Sequence, residues 1–230
     1  MDRFALGGFL ICVSILEEDI NRALSRAASA AQMADVVEIR LDGLSDPAPE
    51  VFLETISTPL LFTLRPEREG GRYRGPEKDR LAILAQTLGR AAYVDLEHDV
   101  STSFWEDFLS RREGTKLIAS CHYFSETPSE AVLRQKVMDL KNTGADLGKL
   151  VTYAQAPEDN LRVLSLPLWA RRELDFPLIA FTMGPLGRIT RLATLFLGGA
   201  MTYACLEEES QAAPGQLPVR TLKEMLAWLR

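Results

Sequence analysis

The sequence predicts a single (β/α)8 barrel, the TIM-barrel type of α/β fold, in which eight parallel strands alternate with helices. Eight short apolar runs recur along the chain, and segments with helical patterning separate them. The length of 230 residues lies at the short end of the range for such a barrel. A doubly wound open sheet is the alternative, but no Gly-x-Gly-x-x-Gly motif follows the first run.

The strand candidates are nearly continuous in apolar residues, which is typical of parallel strands buried on both faces. They span residues 9–15, 36–42, 59–65, 91–99, 116–124, 147–155, 177–183 and 200–206. Helical segments include residues 18–33 and 129–144, and a last helix is predicted at 221–230. Because no linker or low-complexity segment interrupts the pattern, residues 1–230 are predicted to form one domain.

Composition and charge argue against two classes of partner. The net charge is -6 and no basic run carries interleaved aromatic residues, so nucleic acid is not expected to bind. The apolar run at 192–206 is too short to span a bilayer, and the first apolar run is interpreted as a buried strand, so no membrane association is expected. The three cysteines, Cys12, Cys121 and Cys205, are far apart and lie in strand-like runs, which indicates reduced, buried thiols and a cytoplasmic location.

Ionisable residues lie within or just after most of the predicted strands. In a barrel, catalytic residues come from the C-terminal ends of several strands. Such a distribution therefore indicates an active site at that end of the barrel. The residues concerned are Glu38, Arg40, Asp42, Arg65, Glu69, Asp95, Glu97, His122, Lys149 and Arg191.

Lys149 is the most unusual of these residues, because alternation places it on one strand face with Leu147 and Val151. Burial disfavours the charged form of a lysine, and a neutral amine can attack a carbonyl carbon to form an imine. The alternative is a structural lysine that is paired with a strand carboxylate such as Glu38 or Asp95, or that extends from the strand end to solvent.

His122 ends the strand before that of Lys149, so both side chains are expected to reach one substrate as base and nucleophile. A histidine bonded to a backbone carbonyl is the alternative. Arg40 and Asp42 could instead form an internal ion pair, and Arg191 could bind a carboxylate or lie on the surface. The polar loop at 207–219 follows the last strand and is long enough to act as a lid.

Six segments, in order, resemble type I 3-dehydroquinate dehydratases over nearly the whole chain. They are EIRLD, FTLRPEREGG, ASCHYF, ADLGKLVTY, MGPLGRITR and APGQ. The resemblance implies a TIM barrel that dehydrates 3-dehydroquinate to 3-dehydroshikimate through a lysine imine, without metal or cofactor. It also implies a role in the shikimate pathway of aromatic amino acid biosynthesis. Members are often dimers, so a homodimer is the assembly to test.

The resemblance assigns a role to each matching residue. Lys149 forms the imine, His122 is the general acid and base, and Glu69 orients His122. Glu38, Arg40 and Arg65 line the substrate pocket, Arg191 binds the substrate carboxylate, and Gln216 reaches over the substrate from the lid. Ala212 departs from the family pattern, which has Ser or Thr there. One hydroxyl contact is therefore expected to be missing unless Ser210 or a water replaces it.

Two other functions fit parts of the sequence. A lysine-imine aldolase would need a phosphate site after the last two strands, which MGPLGRITR could supply. A barrel that has lost activity could serve as a binding partner, but it has little reason to keep Lys149, His122, Glu69 and Arg191 together.

Overall fold

The computed structural model describes residues 9–229 and contains eight parallel strands. The ends of the predicted domain, residues 1–8 and 230, lie outside the described residues. All eight predicted strands are present, and each is shorter than predicted by one or more residues at its ends. They are β1 Ile11–Ile15, β2 Val36–Arg40, β3 Leu60–Thr63, β4 Tyr93–Glu97, β5 Lys116–His122, β6 Leu147–Tyr153, β7 Leu178–Met183 and β8 Thr202–Ala204.

Helices fill the connections between the strands. Within the described residues they are α1 Ile20–Ala31, α2 Pro49–Thr55, α3 Glu77–Ala85, α4 Thr102–Arg111, α5 Glu130–Asn142, α6 Pro157–Leu164, α7 Leu166–Leu174, α8 Thr190–Phe196 and α9 Val219–Trp228. Helix α1 shows why such segments form. The side chain of Asp19 accepts a hydrogen bond from the backbone N–H of Arg22 at 2.8 Å, and Ala23, Ala27 and Ala30 make one buried face.

The strands pair in the order β8, β1, β2, β3, β4, β5, β6, β7, and every pair is parallel. The backbone N–H of Ala200, just before β8, donates to the carbonyl of Leu178 in β7 at 2.9 Å. The ring is thus nearly closed, and the predicted (β/α)8 barrel is confirmed.

Two apolar clusters stabilise the barrel. The larger one packs the helices against the outer face of the sheet, for example through Leu133, Val137 and Leu140 of α5. The smaller one lies inside the ring and includes Leu61, Ile118, Leu147, Ile179 and Met201. Leu61, Ile118, Leu147 and Ile179 lie in the N-terminal halves of their strands, and Met201 immediately precedes β8. The polar inward residues lie toward the other end of the barrel, where the site forms.

Two helices differ from the sequence prediction. The connection between β6 and β7 contains both α6 and α7, because Pro167 lacks the N–H that would continue α6 and instead lies in the first turn of α7. Helix α8 begins only at Thr190, seven residues after β7 ends. The segment before it is a turn in which the N–H of Gly187 donates to the carbonyl of Gly184 at 3.1 Å.

The cysteines agree with their predicted state, since Cys12, Cys121 and Cys205 are all buried and free. Within residues 9–229, none of the helices combines the length and the apolar composition needed to cross a membrane.

Candidate active site

A cavity of about 220 Å³ lies among the C-terminal ends of the strands. It brings together every residue to which the resemblance assigns a place in the site, whereas Asp42, Asp95 and Glu97 are not part of its wall. The residues brought together are Glu38, Arg40, Arg65, Glu69, His122, Lys149, Arg191, Ala212 and Gln216. Six of the eight strands and three loops contribute to its wall, as expected for a site at the catalytic end of a barrel.

Lys149 points from β6 into the barrel, and its side chain is 7% exposed. Its Nζ lies 2.9 Å from Oδ2 of Asp95 and 4.4 Å from the centre of the Tyr203 ring. The pairing with Asp95 that the sequence offered as the structural alternative is therefore present. It does not remove Lys149 from the cavity, because Lys149 also lines the cavity wall.

Asp95 belongs to a buried chain of alternating charges below the cavity. Its Oδ1 is 2.8 Å from Nη2 of Arg65, and Nη1 of Arg65 is 2.8 Å from Oε1 of Glu97. Oε2 of Glu97 pairs in turn with Arg80 at 2.6 Å. Burial alone would raise the pKa of Asp95, but the cations of Arg65 and Lys149 hold it well below its usual value. Asp95 is thus a carboxylate at neutral pH.

His122 and Glu69 form a second pair at the rim of the cavity. Nδ1 of His122 lies 2.9 Å from Oε2 of Glu69. Burial, together with the cations of Arg65 and Lys149, lowers the pKa of His122 well below its usual value. Burial raises the pKa of Glu69 to about 7, although the Arg65 cation opposes this shift. His122 is therefore neutral near pH 7, and its Nε2 is the nitrogen left for a substrate.

The two glycines after Glu69 explain how the loop brings that residue to His122. Gly70 has a φ of 72°, and a Cβ there would lie 2.6 Å from the ring of Phe124, which stacks on His122. A Cβ on Gly71 would lie 2.0 Å from the carbonyl oxygen of Arg65. The glycines thus allow the loop to fold tightly against the protein itself.

The face carried by β2 divides into two groups. Glu38 is buried and accepts hydrogen bonds from the hydroxyls of Ser14 at 2.5 Å and Thr63 at 2.8 Å. Arg40 makes two hydrogen bonds to Asp42, at 2.8 and 2.7 Å. The ion pair expected as an alternative for Arg40 and Asp42 is therefore present, while Arg40 still lines the cavity.

Arg191 differs from the other buried arginines in its partners. It is 1% exposed, and within residues 9–229 no carboxylate forms an ion pair with it. Its guanidinium lies over the Phe181 ring and donates to the carbonyls of Pro214 at 3.2 Å and Tyr203 at 3.4 Å. Burial lowers its pKa to about 10, so it stays charged at neutral pH. An anion that enters the cavity would find an unneutralised cation there.

The loop after β8 covers the cavity from above. Oε1 of Gln216 accepts the N–H of Ala212 at 2.8 Å, and its Nε2 donates to Ser14 at 3.3 Å. Gln216 therefore fastens the loop both to itself and to β1. The hydroxyl of Ser210 donates to the carbonyl of Glu207 and accepts the N–H of the same residue, at 2.9 and 3.1 Å, and Ser210 is not part of the cavity wall.

Several wall residues were absent from the predicted set. Ser14 and Tyr203 alternate with outward residues of their strands, so the inward pattern could have identified them once the strand faces were known. Phe181 and Met183 are apolar and carry no chemical signal in the sequence. Asp95, which the sequence places among the ionisable residues of this end of the barrel, does not line the cavity and reaches the site only through Lys149 and Arg65.

The barrel and the groups gathered at one end of it define a barrel enzyme with a buried amine at its centre. The family model of the type I 3-dehydroquinases matches residues 11–230. The 3-dehydroquinate dehydratase of Desulfotalea psychrophila is 39% identical over 221 residues, which are 94% of this chain and 96% of that protein. The chain therefore belongs to the type I 3-dehydroquinase family.

Solved structures agree with this assignment. A type I 3-dehydroquinate dehydratase from Clostridium difficile, crystallised with covalently modified comenic acid, has a TM-score of 0.89 at 25% identity and matches 97% of this chain and 93% of that one. The 3-dehydroquinate dehydratase of Geobacillus kaustophilus has a TM-score of 0.85 at 30% identity and matches 96% and 91% of the two chains. As a member of the family, the protein is a hydro-lyase of the shikimate pathway.

Proposed function

We propose that the protein removes water from 3-dehydroquinate through an imine on Lys149, with His122 as the only proton carrier in the reaction. Family membership supports the overall reaction. The observation that carries the assignment of residues is that Lys149 and His122 lie on neighbouring strands and line one cavity. Glu69 holds His122 in place through its contact with Nδ1.

Arg191 orients the substrate in this proposal. The substrate carries one carboxylate, and Arg191 offers a buried guanidinium with no acidic partner among the described residues. A guanidinium can bind a carboxylate through two parallel hydrogen bonds, which fixes its direction as well as its position. The side chains that contact the ring hydroxyls are then those of Glu38, Arg40 and Arg65, and Gln216 contacts the substrate from the loop after β8.

The imine forms first. The Lys149 ammonium gives a proton to neutral His122, and the free amine attacks the C3 carbonyl carbon as the carbonyl π bond breaks. His122 returns this proton to the new oxygen and then takes a second proton from the positively charged nitrogen, which gives the neutral carbinolamine. Protonation of its hydroxyl by His122 then releases one water and leaves an iminium. The positive nitrogen withdraws electrons from C2 and makes the C2–H bond acidic.

Elimination follows on one face of the ring. His122 takes the C2 proton, the electron pair of that bond forms the C2–C3 double bond, and the π pair of the iminium moves to the nitrogen to give an enamine. The enamine returns the pair and expels the C1 hydroxyl, which takes the proton from His122 and leaves as water. One histidine can act on both positions only if they share a face, so the elimination is syn. Addition of one water to the iminium releases 3-dehydroshikimate and Lys149, and the net change is the loss of one water.

Borohydride trapping tests this proposal. The protein is incubated with 3-dehydroquinate, reduced with sodium borohydride and measured by intact mass. Trypsin then cleaves the chain after lysine and arginine, but not after a reduced lysine adduct. We expect the adduct on one uncut peptide that spans residues 142–162, within which Lys149 is the only lysine.

The matched control is Lys149→Arg, which keeps a cation opposite Asp95 but cannot form an imine. It should give no adduct and lose activity by a factor on the order of 10⁴–10⁶. An adduct on another lysine, or turnover by this variant close to the unmodified protein, would overturn the assignment of Lys149. Turnover without any adduct would overturn the imine itself.

A further inference from the structure

The nitrogen of Lys149 has two close contacts that the reaction scheme above leaves without a role. Oδ2 of Asp95 lies 2.9 Å from it, and the face of the Tyr203 ring lies 4.4 Å away. Both contacts favour a positive charge at that atom. A charged nitrogen occurs at this position twice, as the ammonium of the free enzyme and as the iminium of the intermediate.

The side chain of Asp95 is held in place independently of Lys149. Its Oδ1 accepts a hydrogen bond from the hydroxyl of Ser120 at 2.6 Å and pairs with Nη2 of Arg65 at 2.8 Å. The side chain of Asp95 is fully buried, and that of Arg65 is 4% exposed. The carboxylate is thus held from one side by Ser120 and Arg65 and presents its other oxygen to Lys149.

We propose that Asp95 is a positioning residue that fixes the Lys149 nitrogen at the cavity wall and balances the positive charge of the iminium. This inference rests on the proposed imine at Lys149. It adds that the ion pair between Lys149 and Asp95 is part of the catalytic arrangement. Asp95 itself has no contact with the substrate in this role and acts through Lys149.

Other charged or titratable groups also surround Lys149 from the neighbouring strands. Among the described residues, only Asp95 makes a hydrogen bond or an ion pair with it. The groups are Cys12 on β1, Glu38 and Arg40 on β2, Arg65 on the segment after β3, Asp95 on β4, His122 on β5 and Tyr203 on β8. Removal of the Asp95 charge should therefore have a larger effect on Lys149 than removal of any other carboxylate.

The variant Asp95→Asn gives two predicted effects. Without the carboxylate the ammonium loses its partner, so the amine becomes reactive at lower pH. The midpoint of the pH profile for imine formation should fall by about one unit or more. In the variant the iminium must also gain its charge without a counterion. The yield of trapped imine should therefore be lower in the variant at high pH.

The experiment measures single-turnover imine formation between about pH 5 and 10. Samples with saturating 3-dehydroquinate are quenched with borohydride and analysed by intact mass. Glu97→Gln is the matched control, because Glu97 lies on the same strand, is equally buried and also pairs with Arg65, but does not contact Lys149. Its midpoint should move much less than that of Asp95→Asn. Removal of a purely structural ion pair would also move the midpoint, but it would leave the yield of trapped imine at high pH unchanged.

Three outcomes separate the possibilities. An unchanged midpoint or an unchanged yield at high pH in folded Asp95→Asn, or an equal shift in Glu97→Gln, overturns the role of Asp95 and leaves the imine intact. Absence of any adduct on Lys149 in the unmodified protein overturns the proposed function instead. If Asp95→Asn does not fold, Ser120→Ala keeps the carboxylate but removes the 2.6 Å hydrogen bond that fixes it. Slower trapping at an unchanged midpoint then supports positioning, and trapping at the normal rate overturns it.

Discussion

Nδ1 of His122 lies 2.9 Å from Oε2 of Glu69, and burial shifts the pKa values of the two residues in opposite directions. The low pKa of His122 keeps the imidazole neutral near pH 7, where it can accept a proton. The pKa of Glu69 is raised to about 7, so the glutamate can gain or lose a proton as the charge of His122 changes. His122 therefore holds a proton taken from the substrate only weakly, as a group must if it is to return that proton.

Substitution of His122 should separate imine formation from elimination. In His122→Asn the amide N–H can still donate to Glu69, but no base remains. We expect kcat to fall by about 10²–10⁴-fold, as is typical when a general acid and base is lost. The imine should still form slowly and then accumulate, which borohydride trapping with intact mass would detect. A kcat near that of the unmodified protein would show that another group moves the C2 proton.

Removal of the Glu69 charge should stabilise the fold at high pH and impair catalysis. Because the folded-state pKa is raised from 4.5 to about 7, the folded protein binds the proton more tightly than the unfolded chain. The stability linked to this proton is fully present below about pH 4.5 and is lost as the pH rises through about 7. Glu69→Gln keeps a neutral side chain at every pH, so its advantage over the unmodified protein should grow between pH 5 and 9. After allowance for solvent screening, we expect it to reach on the order of 1–2 kcal/mol.

Urea unfolding at several pH values measures this difference, and the pH profile of kcat/KM provides an independent readout. The limb of that profile near pH 7 should disappear in Glu69→Gln, with kcat reduced on the order of 10- to 100-fold. Glu67→Gln is the control, because Glu67 lies in the same loop with its side chain 51% exposed. A stability gain in both variants, or one that does not change with pH, would contradict the role given to burial of Glu69.

Arg191 and Arg80 should respond in opposite directions to the same substitution. Both are buried, but Arg80 pairs with Glu97 and Glu77, whereas Arg191 has no acidic partner within the described residues. Arg191→Met removes an uncompensated desolvation cost, so Tm should rise by about 2–4 °C. Arg80→Met removes the cation at Oε2 of the buried Glu97 carboxylate, which keeps Arg65 only at Oε1, and should destabilise the protein by about 3–5 kcal/mol.

The same Arg191 variant should bind substrate poorly. Loss of a charge-assisted contact to the carboxylate should raise KM by about 10- to 150-fold, with a smaller effect on kcat. Arg191→Lys should be intermediate, because it keeps the charge but cannot make two parallel hydrogen bonds. Calorimetry and steady-state kinetics together test the pair of expectations. A large fall in kcat at constant KM would indicate a role in the reaction step rather than in binding.

The sequence was sufficient for the barrel, because eight apolar runs with helical segments between them leave few other arrangements. It was less informative about boundaries. The separate helices α6 and α7 depend on a single proline, Pro167, and the late start of α8 depends on a turn that Gly184 and Gly187 form. Neither feature changes the hydrophobic pattern from which the segments were predicted.

The candidate site was predicted as a set of residues with only a few of its contacts. Alternation along β6 could place Lys149 inside, yet Asp95 and Tyr203 reach it from β4 and β8, which the register and closure of the barrel determine. The sequence alone could not decide whether Lys149 is a structural lysine in an ion pair or a catalytic lysine. In the structure, Lys149 both pairs with Asp95 and lines the cavity.

Ala212 provides a test in which activity should improve. The family pattern places Ser or Thr at this position, and here the Ala212 side chain brings no hydroxyl to the cavity wall. The backbone N–H of Ala212 already donates to Gln216 at 2.8 Å, so Ala212→Ser should add a hydroxyl without disturbing the loop. One further hydrogen bond of about 0.5–1.5 kcal/mol should lower KM for 3-dehydroquinate by about 2- to 12-fold. Ser210→Ala is the control, since the Ser210 hydroxyl bonds to Glu207 and should leave KM unchanged. If Ser210→Ala raises KM and Ala212→Ser has no effect, Ser210 already supplies the hydroxyl when substrate binds, and the loop must rearrange around Glu207 to bring it there.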